Sequence, residues 1–424
     1  MNDSITSRRR TVRFLAGAPW LLLFCWSSGA CHRRNDAHAL ATRPAPAASE
    51  STVSAVDKRA QAEDAKTAPP SANQVAVAAE HTYILTAGET ILAIGRNDYG
   101  ALGLAKDVKQ TSVPTSIPGI AGARQVAAGT RHACALIAGG KVVCWGRDFG
   151  GALGIGPSKK DDFIPPTMVV SLSEVEEIGA AGTHSCARLA DGTVQCWGCV
   201  IDGTHDRPEV LPKLSHATSL AIAEESSCAR REDKGVVCWD LQLGMRFAYG
   251  EAINGGDGNI KPVTPVPGLR DVRQVSVSMT HACAVTEAGS VYCWGFGVEG
   301  ELGNGVSGGD YHLLRPAQVP GLTEIEAVAT GNGYSCAVHR QGELYCWGQN
   351  GHGQLGVGDK RLRTRPEKLQ GLTNVATVAL GTQHSCATTR NGEVYCWGRN
   401  HYGQVGQAPT GPADARSTPT RVTW

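Results

Sequence analysis

The chain has 424 residues, 19% of them charged, and a formal net charge of +1. That length suits one large domain or two or three ordinary ones. A near-neutral balance gives no electrostatic reason to expect a nucleic-acid partner.

The N-terminus reads as an export signal. SRRRTVR, from Ser7 to Arg13, is basic, and FLAGAPWLLLFCW, from Phe14 to Trp26, is apolar but short for a membrane span. SSGAC then ends at Cys31, where it resembles the lipidated cysteine of a bacterial lipoprotein signal; ordinary secretory cleavage near Ala30 is the alternative. Residues 1–30 are thus expected to be an export signal, with Cys31 as the lipidation site. Residues 31–73 are Ala/Pro-rich and poor in large apolar side chains, the composition of a disordered tether. Residues 74–424 are expected to fold, held by a lipid anchor at the outer membrane or in the periplasm, or displayed at the cell surface.

The cysteines organise that body. Twelve of the 15 fall in six pairs: Cys134 with Cys144, Cys186 with Cys196, Cys228 with Cys238, Cys283 with Cys293, Cys336 with Cys346, and Cys386 with Cys396. The first members recur at intervals of 52, 42, 55, 53 and 50 residues, the mark of stacked or radial units. An earlier unit, EHTYILTAGETILAIG, carries Tyr83 and Ala93 at the two cysteine positions and brings the count to seven.

Within a unit the pattern is mostly strand: VAAG, then HACALI, then KVVCWG, then a Gly-rich link such as GRDFGGALG, then a proline-flanked β-rich piece. Proline suits an outer, edge-like strand. Four short strands per unit predict an all-β fold, a seven-bladed β-propeller built from repeats of about 50 residues. If Cys186 faces Cys196 across a hairpin, the loop is Ala190–Asp191–Gly192, with glycine at the position that favours a left-handed backbone. Lys234 and Glu89 stand there in the fourth and first units. Opposed cysteines on a non-hydrogen-bonded rung are within disulfide range, so six intrablade disulfides are expected, and Cys199 is expected to stay unpaired. Each second cysteine is followed by tryptophan, read as a filler between blades rather than a ligand cage. His81, His132, His184, His281 and His384 are read as tying down neighbouring carbonyls rather than binding metal.

The run G-x-x-H-x-C-A, then G-x-V-x-C-W-G, then G-x-L-G, carried by Gly129, His132, Cys134, Ala135, Gly140, Val142, Cys144, Trp145, Gly146, Gly151, Leu153 and Gly154, resembles the regulator of chromosome condensation repeat family. The resemblance implies a seven-bladed propeller. The expectation is a bacterial, cysteine-containing, exported member. One branch of the family exchanges guanine nucleotides on a small GTPase, but no small GTPase partner is expected for an exported chain.

No HExxH, Walker loop or GxSxG occurs, so no catalytic residue, metal or cofactor is assigned. The expected function is a noncatalytic binding scaffold of the bacterial cell envelope that recognises proteins. The alternatives are a glycan-binding or structural envelope protein, or a polysaccharide-active enzyme with carboxylates drawn from separate loops. The partner is then an unidentified protein or glycan, with the membrane reached through the lipid. The third and fourth units lack G-x-L-G. The long link of the fourth carries Arg246, Phe247 and Tyr249, residue types that dominate interface hot spots, and these are the candidate binding residues.

Overall fold

A computed structural model describes residues 71–157, 163–200, 203–224, 226–240 and 263–424. The proposed signal, Cys31, the tether and the candidate residues Arg246, Phe247 and Tyr249 lie outside the described residues.

The sequence period becomes seven four-stranded antiparallel sheets, at 72–116, 123–168, 175–210, 217–265, 272–318, 325–368 and 375–422. These are blades one to seven. Each is one contiguous segment, so no strand is exchanged between the chain ends. The first strand of every blade lies innermost and packs on the first strand of the next, and Ala72–Val77 closes the ring against Val375–Leu380 and His384–Thr389.

A backbone bond recurs at all seven seams. The amide that opens an inner strand donates to the hairpin loop of the preceding blade, as in Ala123 to Glu89 (3.1 Å), Val175 to Gly140 (3.2 Å) and, at the closing seam, Ala72 to Gly392 (2.8 Å). The loop residue that offers this carbonyl is left-handed: Gly192 has φ of 79°, and Lys234 and Glu89 adopt 60° and 58° without being glycine. The hairpin therefore keeps its shape in the two units whose sequence departs from the rule.

Strand alternation separates the cystines from the tryptophans. Cys134 pairs with Cys144 across the rung, Cα atoms 4.1 Å apart, and both face blade three, among Val175, Ile178 and Trp197. Trp145 points the other way, into blade one, among Leu102, Leu104 and Ile117. Six such cystines join the second and third strands of blades two to seven. Cys199, expected to be unpaired, is disulfide-bonded as well.

Candidate functional site

Antiparallel strands alternate direction, so the turn after the first strand and the link after the third lie on one face of the ring. Their backbones are joined there: Arg96 donates to Glu80 (3.0 Å), Arg147 to Arg131 (2.9 Å) and Arg399 to Gln383 (2.9 Å).

The links on this face are shaped by a polar residue two positions after the glycine near the end of the third strand, Ile94-Gly95 in the first unit and tryptophan-glycine in the others named here. Asn97 accepts from the Leu102 amide (2.9 Å) and donates to the Ala105 and Val108 carbonyls. Asn350 does the same for Leu355, Asp359 and Arg361, and Asn400 for Val405 and Gln407. Asp148 holds the Leu153 amide at 3.1 Å. These staples were missed in the sequence, although I-G-R-N, W-G-R-D, W-G-Q-N and W-G-R-N spell them out.

With the links held, three consecutive blades present a belt of arginines and aromatic rings. The Arg96 guanidinium lies 4.7 Å from the Tyr402 ring centre and donates to the phenol oxygen at 3.1 Å. Arg131 and Arg147 both lie over Tyr99, at 4.8 and 4.5 Å, and Arg147 also approaches Phe149 at 5.3 Å. Phe149 is 39% exposed, among the more exposed large apolar side chains. Arg399 donates to Gln383 (2.7 Å) and to His401. Acids are interleaved: Glu80 and Asp98 pair with Arg96 at 3.0 and 2.5 Å. Burial pushes the Glu224 carboxyl above its ordinary range, and nearby Arg131 opposes that shift. Each exposed cation–π contact contributes only about 0.5–1 kcal/mol, so the belt matters less for stability than as preorganised recognition surface.

Three of the buried histidines, His132, His281 and His384, bond a hydroxyl across a seam. His132 Nε2 lies 2.9 Å from Ser185 Oγ of the next blade, and His281 Nε2 lies 2.6 Å from Ser335 Oγ. The partner in these two cases is a hydroxyl across the seam, while backbone groups of the next blade, at Gly129 and His184, also act on the rings of His81 and His132 as the sequence reading anticipates. Those serines pass the bond on to link carbonyls, Ser185 to Ala152 and Ser335 to Glu301, and the Trp347 indole N–H reaches the Glu301 carbonyl too, at 2.8 Å. The fully buried tryptophans fill the seams as expected. Among the described residues, no group of three His, Cys, Asp or Glu side chains is arranged to hold a metal ion.

Two family models, both described as Regulator of chromosome condensation (RCC1) repeat, match the chain. One covers residues 90–136, 288–338, 341–388 and 391–424, the other 123–151, 272–301, 325–354 and 375–404, together more than half of the chain. The chain is 29% identical over 293 residues to human E3 ubiquitin-protein ligase HERC2, covering 65% of this chain but 6% of that protein. It is 29% identical over 299 residues to the Ultraviolet-B receptor UVR8 of Arabidopsis thaliana, covering 67% of each. The crystal structure of Prp20p from Saccharomyces cerevisiae, reported with its binding properties to Gsp1p and histones, superposes with a TM-score of 0.71 at 24% identity, covering 79% of this chain and 86% of that one.

These matches correct several expectations. The relatives come from human, plant and yeast, which overturns the reading as a bacterial exported member. The signal, lipoprotein and outer-membrane or periplasmic placements fall with it, as do the envelope scaffold, its glycan-binding and structural alternatives, and the polysaccharide-active enzyme. The physical reason is that a basic-then-apolar N-terminus is a low-specificity signal, and that hairpin spacing fixes disulfide geometry without fixing a compartment. The expected partners are an unidentified protein or glycan and a lipid-anchored membrane, with no nucleic acid and no small GTPase. The lipid-anchored membrane falls with the bacterial reading, and the exclusion of a small GTPase is overturned, because Prp20p is reported with its binding properties to Gsp1p. Net charge describes the whole chain and carries no information about one face of the ring.

Proposed function

The chain belongs to the regulator of chromosome condensation repeat family, and from that membership we propose that it is a regulatory protein-docking ring whose partner seats on the arginine–aromatic belt of blades seven, one and two. The observation that carries this reading is the stacking of Arg131 and Arg147 on the single ring of Tyr99. Arg and Tyr are enriched in interface hot spots, and here their rotamers are fixed before any partner arrives. Glu80 and Asp98 interrupt the positive charge, which favours a folded protein of mixed charge over a polyanion.

The chain spans 6% of HERC2, so ligase activity is not carried over. Prp20p supplies the first two probes, Gsp1p and histones. Purified full chain is passed over each probe on a sensor surface, beside Tyr99→Asn and Arg147→Glu. Asparagine tolerates the left-handed backbone of Tyr99, φ 56°, while deleting the ring. Expected is binding of at least one probe, weakened about tenfold or more by either change with Tm preserved. Binding that both variants retain would move the site off this belt; no binding to either probe would exclude both as partners.

A further inference from the structure

The seams of the ring are not equal. Where blade seven meets blade one, Thr82 Oγ1 lies 2.8 Å from His384 Nε2 and donates to the Gln404 carbonyl at 3.0 Å. Where blade six meets blade seven, Ser385 and the Trp397 indole both donate to the Gln354 carbonyl at 2.8 Å. Where blade five meets blade six, Ser335 and Trp347 share the Glu301 carbonyl. One recipe recurs at four seams, two–three, five–six, six–seven and seven–one: a histidine or tyrosine, the next blade's hydroxyl, the next blade's tryptophan in blades six and seven, and a carbonyl from the G-x-L-G or G-x-V-G turn. Blades two and five have Ala133 and Ala282 at the hydroxyl position, and His81 Nε2 is without a partner.

Between blades three and four the recipe fails at every member. His184 has neither ring nitrogen bonded, and Ser227 Oγ and Trp239 Nε1 are without partners, although the three side chains are 1%, 0% and 0% exposed. The cause is visible in the register. Val200 pairs directly with Gly203, so the third and fourth strands of blade three run into one another and no G-x-L-G turn stands between them to offer a carbonyl. Buried donors without acceptors raise the free energy of the closed seam and are relieved by water when it parts. Blade four is also lightly held at its rim, since its outer strand is only Thr264–Pro265.

The geometry points to the seam between blades three and four as the place where the ring opens, rather than the seam between the chain ends. The chain ends are the intuitive weak point of any closed ring, but here the relay from His384 through Thr82 to the Gln404 carbonyl is made, although blade one has Ile94 in place of tryptophan and His384 Nδ1 and Gln404 Nε2 are without partners. Opening at blades three and four would bare the Trp239 face of blade four while the belt on blades seven, one and two stays intact, so the two regions can act separately.

Hydrogen exchange on the full chain tests this. Expected is exchange about tenfold or more faster in His184–Leu189 and Ser226–Arg231 than in His81–Thr86 and His384–Thr389. A pair of substitutions gives a second reading that does not depend on exchange. Ser335→Ala removes a bonded hydroxyl and should lower Tm, whereas Ser227→Ala removes an orphan and should leave Tm unchanged or raise it. Earlier exchange at the seam of the chain ends would overturn the proposal, and so would a Tm loss in Ser227→Ala equal to that in Ser335→Ala.

Discussion

His384 Nε2 lies 2.8 Å from Thr82 Oγ1, a contact between side chains 302 residues apart that joins the last blade to the first. With no strand exchanged between the ends, this bond, the Thr82 bond to the Gln404 carbonyl and the cluster of Val75, Ile84 and Ile94 with Val394 and Val422 hold the closure. Thr82→Val keeps the shape and deletes the hydroxyl. Expected is a loss of about 1–3 kcal/mol in urea unfolding, because the His384 ring is left buried and unpaired. Thr82→Ser should retain most of the stability; an equal loss in both would assign the effect to packing.

Acid should unfasten the seams. Burial pushes His81 and His132 down to about 4, and His184, His281 and His384 down to about 3. In the unfolded chain these rings titrate near 6.5. The unfolded state therefore binds more protons below that pH, so stability is full above pH 6.5 and declines as pH falls towards the folded values. Each ring adds a slope of up to about 1.4 kcal/mol per pH unit. In His281→Gln, the drop in urea midpoint from pH 7 to pH 5 should be smaller than in the parent chain. An unchanged drop would show that this ring is protonated in the fold.

The fold was legible because its repeat is written in covalent geometry. Ten residues between Cys283 and Cys293 place them opposite each other on one hairpin, and six such pairs count out the blades. Alternation then put Trp145 on the opposite face from Cys144. The seam chemistry was less legible. His132 was expected to reach a nearby carbonyl, and its partner Ser185 is 53 residues away. The belt was missed for the same reason: Arg131, Arg147 and Tyr99 are unremarkable one at a time and meet only when neighbouring blades stack. Length and aromatic content, which single out the long fourth link, are visible in a sequence; convergence of residues from separate blades is not.

The cystines should behave as local staples. Each joins neighbouring strands of one blade, and the register leaves no other cysteine opposite. Unreduced peptide maps should link Cys283 to Cys293 and Cys386 to Cys396 within single short fragments; a cross-blade link would overturn the register. Replacing Cys283 and Cys293 together by alanine should cost roughly 2.5 kcal/mol from loop closure, less any strain released.

Glu89 offers a stabilising change. It sits at the last position of the first hairpin loop with φ of 58°, where five other blades have glycine. A side chain in that left-handed region meets its own carbonyl, at a cost of about 1–2 kcal/mol. The contribution of Glu89 to the seam is its backbone oxygen, which accepts from the Ala123 amide at 3.1 Å. Glycine supplies the same oxygen without the clash. It also makes the unfolded chain more flexible, which returns part of the gain. Glu89→Gly is therefore expected to stabilise by about 0.5–1 kcal/mol net, read as a higher urea midpoint at unchanged slope. Glu89→Ala keeps the Cβ and should bring no such gain. A loss of stability in Glu89→Gly would mean that the glutamate side chain carries a contact that outweighs its backbone strain.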